Sequence, residues 1–172
     1  MKKFLAIPAA LGYFAVFVLI FLALGYDWHR NKKAPDQPIA FSHKMHVGRV
    51  GLDCTFCHQT VDKSTFAGIP SVQKCMSCHQ NVATDRPEIQ KLTGYWEREE
   101  PMEWNRVYRI RLREHVFFSH KRHIKAGMEC ASCHGEVRYQ DKVRRVRSLE
   151  MGWCVSCHQH NNASTDCLTC HQ

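Results

Sequence analysis

All ten cysteines of this 172-residue chain stand in one repeated unit, Cys-x-x-Cys-His. The five units are Cys54-Cys57-His58, Cys75-Cys78-His79, Cys130-Cys133-His134, Cys154-Cys157-His158 and Cys167-Cys170-His171. Two thiols at this spacing can add to the two vinyl groups of one haem, and the adjoining histidine then ligates the iron. Zinc ribbons and disulfides also use cysteine pairs, but neither needs a histidine after each pair. The spacing therefore predicts five covalently bound haem c groups, whose sites we number 1 to 5 in chain order.

A repeated run of histidines supplies candidates for the second axial ligand that low-spin electron-transfer haems need. Phe41-Ser42-His43-Lys44-Met45-His46 precedes site 1, and Phe118-Ser119-His120-Lys121-Arg122-His123 precedes site 3. Such a repeat indicates a duplicated module. Histidines at positions i and i+3 share one face of a helical turn, so each turn can serve two neighbouring haems. The four histidines of these runs are therefore predicted iron ligands.

The chain is too short to build a thick side-chain core around five macrocycles. We therefore expect the haems to form much of the core, with short helices around the motifs, irregular connections and little regular secondary structure. The net charge of +8 could suggest nucleic acid or anionic lipid. However, five haems would bring about ten propionate charges, so no nucleic-acid partner is predicted.

Two basic stretches are candidate partners for those propionates. Arg109 to Arg113 alternates like a strand, and Lys142, Arg144, Arg145 and Arg147 form the second cluster. Each stretch could equally be a contact surface for an acidic partner or for lipid headgroups.

The N-terminal stretch contains an apolar run without charge from Phe4 to Tyr26. As a helix it would be roughly 35 Å long, enough to cross a bilayer core. Lys2 and Lys3 favour a cytoplasmic N-terminus. We predict a retained single-pass anchor in the inner (cytoplasmic) membrane, with the haem domain on the periplasmic side. The alternative is a cleaved secretory signal with its cleavage site around Ala23-Leu24-Gly25.

The histidine run followed by Cys-x-x-Cys-His units resembles the triheme c7 type of class III cytochromes. In that type the first histidine serves the next haem and the second histidine serves the haem after it. The resemblance implies that His43 ligates site 1, His46 site 2, His120 site 3 and His123 site 4. It divides the chain into an anchor (1–26), an exit linker (27–40), a two-haem c7-like module (41–85), a partly helical connector (86–116) and a three-haem c7-like module (117–172).

Site 5 is left without a distal histidine by this pattern. In c7 cytochromes the last haem takes its distal histidine from just ahead of the second motif, and there this chain has Met151. Our hypothesis is that Met151 ligates site 5, which would raise the potential of that haem above its bis-histidine neighbours. His160 and His115 remain as alternative ligands, and Met151 could instead be apolar filling.

Further phrases narrow the resemblance, and they cover nearly the whole chain. They are Pro101-Met102-Glu103-Trp104-Asn105-Arg106-Val107, His115-Val116-Phe117-Phe118-Ser119-His120, Cys133-His134-Gly135-Glu136-Val137 and Met151-Gly152-Trp153-Cys154. They resemble the membrane-anchored pentahaem subunit of alternative complex III and are similar to the multihaem subunit of the Qrc menaquinone reductase complex. The resemblance implies integral quinone-site subunits, an iron–sulfur/molybdopterin-like subunit and a periplasmic cytochrome c as partners. The Qrc-type subunit is described with six haems, so five motifs favour the alternative complex III type, or else a sixth haem is bound without such a motif.

The predicted function is electron relay within an oxidoreductase complex, and the chain is not expected to be an enzyme alone because the protein supplies only spacing, ligands and charge. An autonomous quinol dehydrogenase of the NapC/NrfH type is one alternative, which would need an open or unusual iron near the membrane. A multihaem reductase of a small substrate is another, which would need a five-coordinate iron.

Overall fold

The computed structural model describes residues 2–110 and 115–171, and its regular elements are helical, with no strand in these two ranges. The helices are α1 (Lys2–Lys33), α2 (Cys54–Cys57), α3 (Val72–His79), α4 (Pro87–Glu97), α5 (His120–Lys125), α6 (Cys130–His134), α7 (Met151–His160) and α8 (Cys167–Cys170). A π-helical turn covers Lys44–Arg49 and a 3-10 turn covers Val137–Tyr139. The prediction of short helices around the motifs is confirmed.

The strand-like alternation in the connector does not form a strand in its described residues. Arg109 and Ile110 lie in irregular chain, and Arg111 to Arg113 lie outside the described residues. The prediction of a partly helical connector is confirmed by α4. Pro87 begins this helix, at a position where its missing N–H is no loss.

α1 contains a 19-residue stretch, Leu11–His29, with a mean hydropathy of 1.8, long and apolar enough to cross a membrane. Its large apolar side chains, such as Phe14 and Leu19, are exposed. Length and composition of this kind are shared by membrane anchors and secretory signal sequences. The helix continues past Tyr26, so the first part of the predicted exit linker is helical.

The apolar core is small, as expected for a chain built around large cofactors. Among the described side chains, the buried apolar ones are Ile39, Val61, Met76 and Leu92. Ile39 from the exit linker packs with Met76 of α3 and Leu92 of α4. Leu92 is 1% exposed and marks the centre of this cluster. The cluster fixes the start of the haem domain against site 2.

The helical turns place the two cysteines of each motif on one face, because residues three apart are neighbours on a helix. Two of these short helices have a side-chain cap. Ser71 Oγ accepts the backbone N–H of Lys74 at 3.3 Å at the start of α3, and Asp166 accepts that of Leu168 at 2.9 Å at the start of α8. Such caps satisfy donors that have no partner inside the helix.

Candidate haem-binding site

The first histidine turn is organised around one phenylalanine. The Phe41 ring stacks on His46 with ring centroids 4.4 Å apart and an interplanar angle of 23°, and meets His43 edge-on at 4.9 Å and 87°. Nδ1 of His46 hydrogen-bonds the carbonyl of Ser42 at 2.8 Å. The two histidine rings are therefore held at a fixed mutual angle by packing and by a backbone contact.

The second histidine turn has the same geometry. Phe118 stacks on His123 at 4.6 Å and 28°, and meets His120 edge-on at 4.9 Å and 87°. Nδ1 of His123 hydrogen-bonds the carbonyl of Ser119 at 2.8 Å. The sequence repeat is thus also a repeat of ring positions and hydrogen bonds.

The two turns differ in helix type. The second is α-helical, whereas the first is a π-helical turn in which the N–H of Val50 bonds the carbonyl of Met45. The first module has one residue more between its second histidine, His46, and its first cysteine, Cys54. A π turn absorbs one extra residue, and such turns are frequent at functional sites.

Predicted distal and motif histidines face each other in pairs. The ring centroids are 5.9 Å apart for His46 and His79, 6.4 Å for His120 and His134, and 6.1 Å for His123 and His158. With metal–imidazole bonds of about 2.0–2.1 Å, two imidazoles on opposite sides of one metal have ring centres about 6 Å apart. The spacing of the three pairs therefore fits one iron between each pair of rings.

His43 lies close enough to His58, the motif histidine of site 1, for the two rings to interact electrostatically. Burial, followed by the neighbouring His58 and His46, lowers the pKa of His43 to about 4. The imidazole is therefore neutral near pH 7, which is the form that binds a metal. Nδ1 of His43 is buried and has no hydrogen-bond partner among the described residues.

Most motif histidines are oriented through their second ring nitrogen. Nδ1 bonds a backbone carbonyl in His58 (Gly68, 2.7 Å), His79 (Val82, 2.9 Å), His158 (Ser164, 2.6 Å) and His171 (His115, 2.8 Å). A carbonyl only accepts, so Nδ1 carries the hydrogen and Nε2 is left with a free lone pair. This arrangement is usual for histidines that ligate a metal through Nε2.

His134 is held by a tyrosine that the sequence analysis missed. The Tyr108 ring lies edge-on to His134 at 4.4 Å and 70°. Its hydroxyl lies 3.3 Å from the carbonyl of His134 and 3.2 Å from that of Arg144, and accepts the N–H of Val146 at 3.2 Å. Burial, followed by the neighbouring His120 and His58, lowers the pKa of His134 to about 4. A single tyrosine in a connector carries no sequence signal of such a role.

The cysteines and the space beside them suit covalent cofactors. All ten cysteines lie in the described ranges and are free thiols. A cleft of about 420 Å³ opens beside the histidine of site 2, lined by Met76, His79, Gln80, Thr84, Gln90, Thr93 and Trp96. Within residues 2–110 and 115–171, no three His, Cys, Asp or Glu side chains converge on one point for a bare metal ion.

The three candidates for the fifth distal ligand occupy different positions. Met151 begins α7 and is 67% exposed. His160 ends α7 and is exposed. The backbone carbonyl of His115 accepts from Nδ1 of His171 at 2.8 Å, so this residue is attached to the edge of His171 that faces away from Nε2.

Two residues of the second basic cluster already have protein partners. Nζ of Lys142 lies 2.6 Å from a carboxylate oxygen of Asp36. Nε of Arg147 donates to the carbonyl of Ser132, inside the site 3 motif, at 3.4 Å. The guanidinium of Arg147 therefore lies beside the attachment motif of site 3.

Comparison with known proteins defines the class. Residues 27–103 match the class III cytochrome c family, and residues 116–172 match the family of cytochrome c7 and related cytochromes c. With the paired histidines and free motif cysteines, these matches identify class III and c7-like multihaem cytochrome c domains in the chain. Cytochromes of this class transfer electrons through covalently bound haem c.

A more particular similarity extends over nearly the whole chain. The chain is 29% identical, over 187 aligned residues, to the menaquinone reductase multiheme cytochrome c subunit of Nitratidesulfovibrio vulgaris. The alignment covers 91% of this chain and 88% of that protein. The similarity is therefore not confined to one of the two haem domains.

Proposed function

We propose that the chain is the electron-transfer subunit of a membrane quinone-oxidoreductase complex and carries five haem c groups. The observation that carries this proposal is the set of facing histidine pairs, each beside a Cys-x-x-Cys motif. When bound, each haem supplies a one-electron ferric/ferrous couple. The chain's own residues hold the groups, set their axial ligands and restrict access of water.

The ligand assignment follows the pairs. The cysteines of the five motifs hold the porphyrins, and His58, His79, His134, His158 and His171 are the proximal ligands. The distal ligands are His43 at site 1, His46 at site 2, His120 at site 3 and His123 at site 4. Ring separations of 5.9 to 6.4 Å support three of these assignments, and the electrostatic contact of His43 with His58 supports the remaining one.

Met151 is the proposed distal ligand of site 5. It precedes Cys154 by three residues on α7 and so lies on the same helix face. The pKa of Cys154 is raised by burial and then by its neighbour Cys170, a thiol of site 5. The nearness of Cys170 to Cys154 supports Met151, on the same face of α7, as the ligand of site 5. His115 is less suitable, because its backbone is bonded to the outer edge of the proximal His171.

α1 is proposed to anchor the haem domain on the periplasmic side of the inner membrane. Its 19-residue apolar stretch supports this, as do the lysines that precede it in the sequence. The similarity to a menaquinone reductase subunit supports integral quinone-site subunits as neighbours. A periplasmic cytochrome c is the proposed carrier at the other end of the relay, and an iron–sulfur/molybdopterin-like protein the proposed further subunit.

Two types of complex fit this proposal. The relative's name supports a menaquinone reductase type, whereas the count of five motifs supports the alternative complex III type. An autonomous quinol dehydrogenase is less well supported, because two axial side chains are available at each of sites 1 to 4 and leave no open iron there.

Purification of the native chain from its membrane tests the proposal. Intact-mass measurement should show five added haems, and electron paramagnetic resonance (EPR) should show low-spin ferric iron. Polytopic and iron–sulfur subunits should copurify, and a menaquinol analogue or a reduced cytochrome c should reduce the haems. A chain that carries no porphyrin mass, or that oxidises quinol alone with high-spin haem, would contradict it.

A further inference from the structure

The two histidine turns exchange partners between the modules. The first turn docks on the chain after site 3, where the N–H of Lys44 donates to the carbonyl of Gln140 at 3.1 Å and Ser42 Oγ donates to a carboxylate oxygen of Asp141 at 2.7 Å. Gly48 in the same turn lies so close to the carbonyl of Arg138 that an added Cβ would come within 2.6 Å of its oxygen.

The second turn docks on the chain after site 1. The N–H of Lys121 donates to the carbonyl of Ser64 at 3.2 Å, and the N–H of His120 donates to that of Thr65 at 3.2 Å. Nδ1 of His120 also bonds the Thr65 carbonyl, at 3.0 Å. The second turn is therefore held by the first module, as the first turn is held by the second.

The exchanged bonds join equivalent residues. Lys44 and Lys121 each follow the first histidine of their turn, while Ser64 and Gln140 each stand six residues beyond the motif histidine. The backbone N–H of each lysine thus donates to the equivalent carbonyl in the other module. A contact of this kind is isologous, with an approximate two-fold axis between its halves.

Equivalent residues meet each other near the axis of an isologous contact, and here the equivalent residues are thiols. Cys54 is the first cysteine of site 1 and Cys130 the first cysteine of site 3, and the two thiols are close enough to interact electrostatically. His134 of site 3 is also close enough to His58 of site 1 to interact electrostatically. Sites 1 and 3 are therefore neighbours at the contact between the two modules.

Further contacts connect site 1 to site 2 and site 3 to site 4. In the first turn, His43 and His46 both contact the ring of Phe41, so the sites that they serve, 1 and 2, are neighbours. In the second turn, His120 and His123 both contact the ring of Phe118, so sites 3 and 4 are neighbours.

The outer ends of this series are sites 2 and 5. The short loop between sites 4 and 5 is tied by a hydrogen bond between Ser164 and Thr169 at 2.9 Å, so these two sites are neighbours. At the other end, Ile39 of the linker that follows α1 packs against Met76, which lies inside the site 2 motif.

We propose that the five sites form one unbranched row in the order 2–1–3–4–5, with sites 1 and 3 as its two-fold-related centre and site 2 as the end attached to α1. This order rests on the proposed function, because it presumes that all five motifs carry haem. The row then crosses from one module to the other only between sites 1 and 3. The third haem motif of the second module extends the row at one end.

Electron cryomicroscopy of the purified native complex tests the order directly. The site 1 iron should have the irons of sites 2 and 3 as its nearest neighbours, and the site 5 iron should have a single near neighbour at site 4. A site 2 iron adjacent to site 3, or a site 5 iron adjacent to site 1, would overturn the order. Fewer than five haems by mass would instead contradict the proposed function.

A variant at the contact between the two modules tests independently whether sites 1 and 3 are neighbours. Gly48→Ala places a methyl group against the backbone of Arg138 and should separate sites 1 and 3 without removing any ligand. Circular dichroism in the Soret band reports coupling between close haems, so its split signal should weaken while five haems remain. Gly94→Ala on α4 is the control, because its methyl group meets only the flexible end of Arg98.

An unchanged split signal in Gly48→Ala, with the haem content intact, would contradict a central pair of sites 1 and 3. If the variant does not assemble, Ser42→Ala removes the bond to Asp141 without adding volume, and should weaken the signal in the same direction. The iron positions in the unaltered complex decide the order in either case.

Discussion

Nδ1 of His120 and the backbone carbonyl of Thr65 are joined by a 3.0 Å hydrogen bond that crosses from one module to the other. The equivalent atom of the first module, Nδ1 of His43, is buried and has no such partner within residues 2–110 and 115–171. Two proposed ligands with the same place in the repeat therefore differ in one hydrogen bond. A donated Nδ1–H makes an imidazole a stronger electron donor to its metal.

This difference predicts unequal reduction potentials at the centre of the row. The haem of site 3, whose proposed ligand is His120, should be the harder one to reduce. A hydrogen bond of about 1 kcal/mol corresponds to a difference on the order of 40 mV for one electron. Potentiometric titration followed in the Soret band measures the components, and His43→Met and His120→Met identify them. The component lost in His120→Met should be the more negative, and the opposite order would contradict the argument.

Removing Phe118 should loosen both proposed ligands of the second turn together. The ring lies against His120 and His123, and loss of a buried phenylalanine costs about 3–5 kcal/mol. Because Phe118 is only half-buried, we expect Phe118→Ala to cost an amount at the lower end of that range. EPR should show two low-spin signals diminished. Phe117→Ala is the control, since that neighbouring ring is 63% exposed, and an equal loss in both variants would contradict the prediction.

Met151→Ala should convert one haem to a high-spin or water-ligated form and lower the potential of that component, because a thioether ligand raises the potential of haem iron. The near-infrared charge-transfer band of methionine-ligated ferric haem should also disappear. His160→Ala and His115→Ala should leave the band in place. If Met151→Ala keeps all five haems low-spin, or if either histidine variant removes the band, another side chain ligates site 5.

Tyr108→Phe should lower stability while leaving every ligand in place. The change removes a hydroxyl that bonds Val146 and two carbonyls, at a cost of about 1 kcal/mol. For a chain of this size, that corresponds to roughly 2–4 °C in Tm, which calorimetry of the haem-loaded protein can measure. Tyr139→Phe, at a tyrosine that is 68% exposed, should change Tm little. Equal effects of the two substitutions would argue against the role of Tyr108.

The sequence predicts the local chemistry of this protein well because that chemistry follows from spacing. The Cys-x-x-Cys-His units and the two histidine turns are contiguous, so their residues could be named before any distance was known, and the class III, short-helix fold is confirmed. Tyr108 could not be found in this way, because it reaches His134 across the connector. Contacts such as Ser64 with Lys121 join distant parts of the chain, and no periodicity in the sequence encodes them.

The chain that leaves α1 is joined to the haem domain at several points. The side-chain amide of Gln37 bonds both the N–H and the carbonyl of Asn105 at 2.9 Å. The side-chain nitrogen of Asn105 donates to the backbone carbonyl of Asp36 at 2.8 Å. The carboxylate of Asp36 in turn pairs with Lys142. These bonds leave little slack between an anchored α1 and the haem domain, which then could not swing about a flexible tether. Its height and tilt above the bilayer would be set by the protein itself, so electron delivery would depend on a docked geometry and not on random encounters.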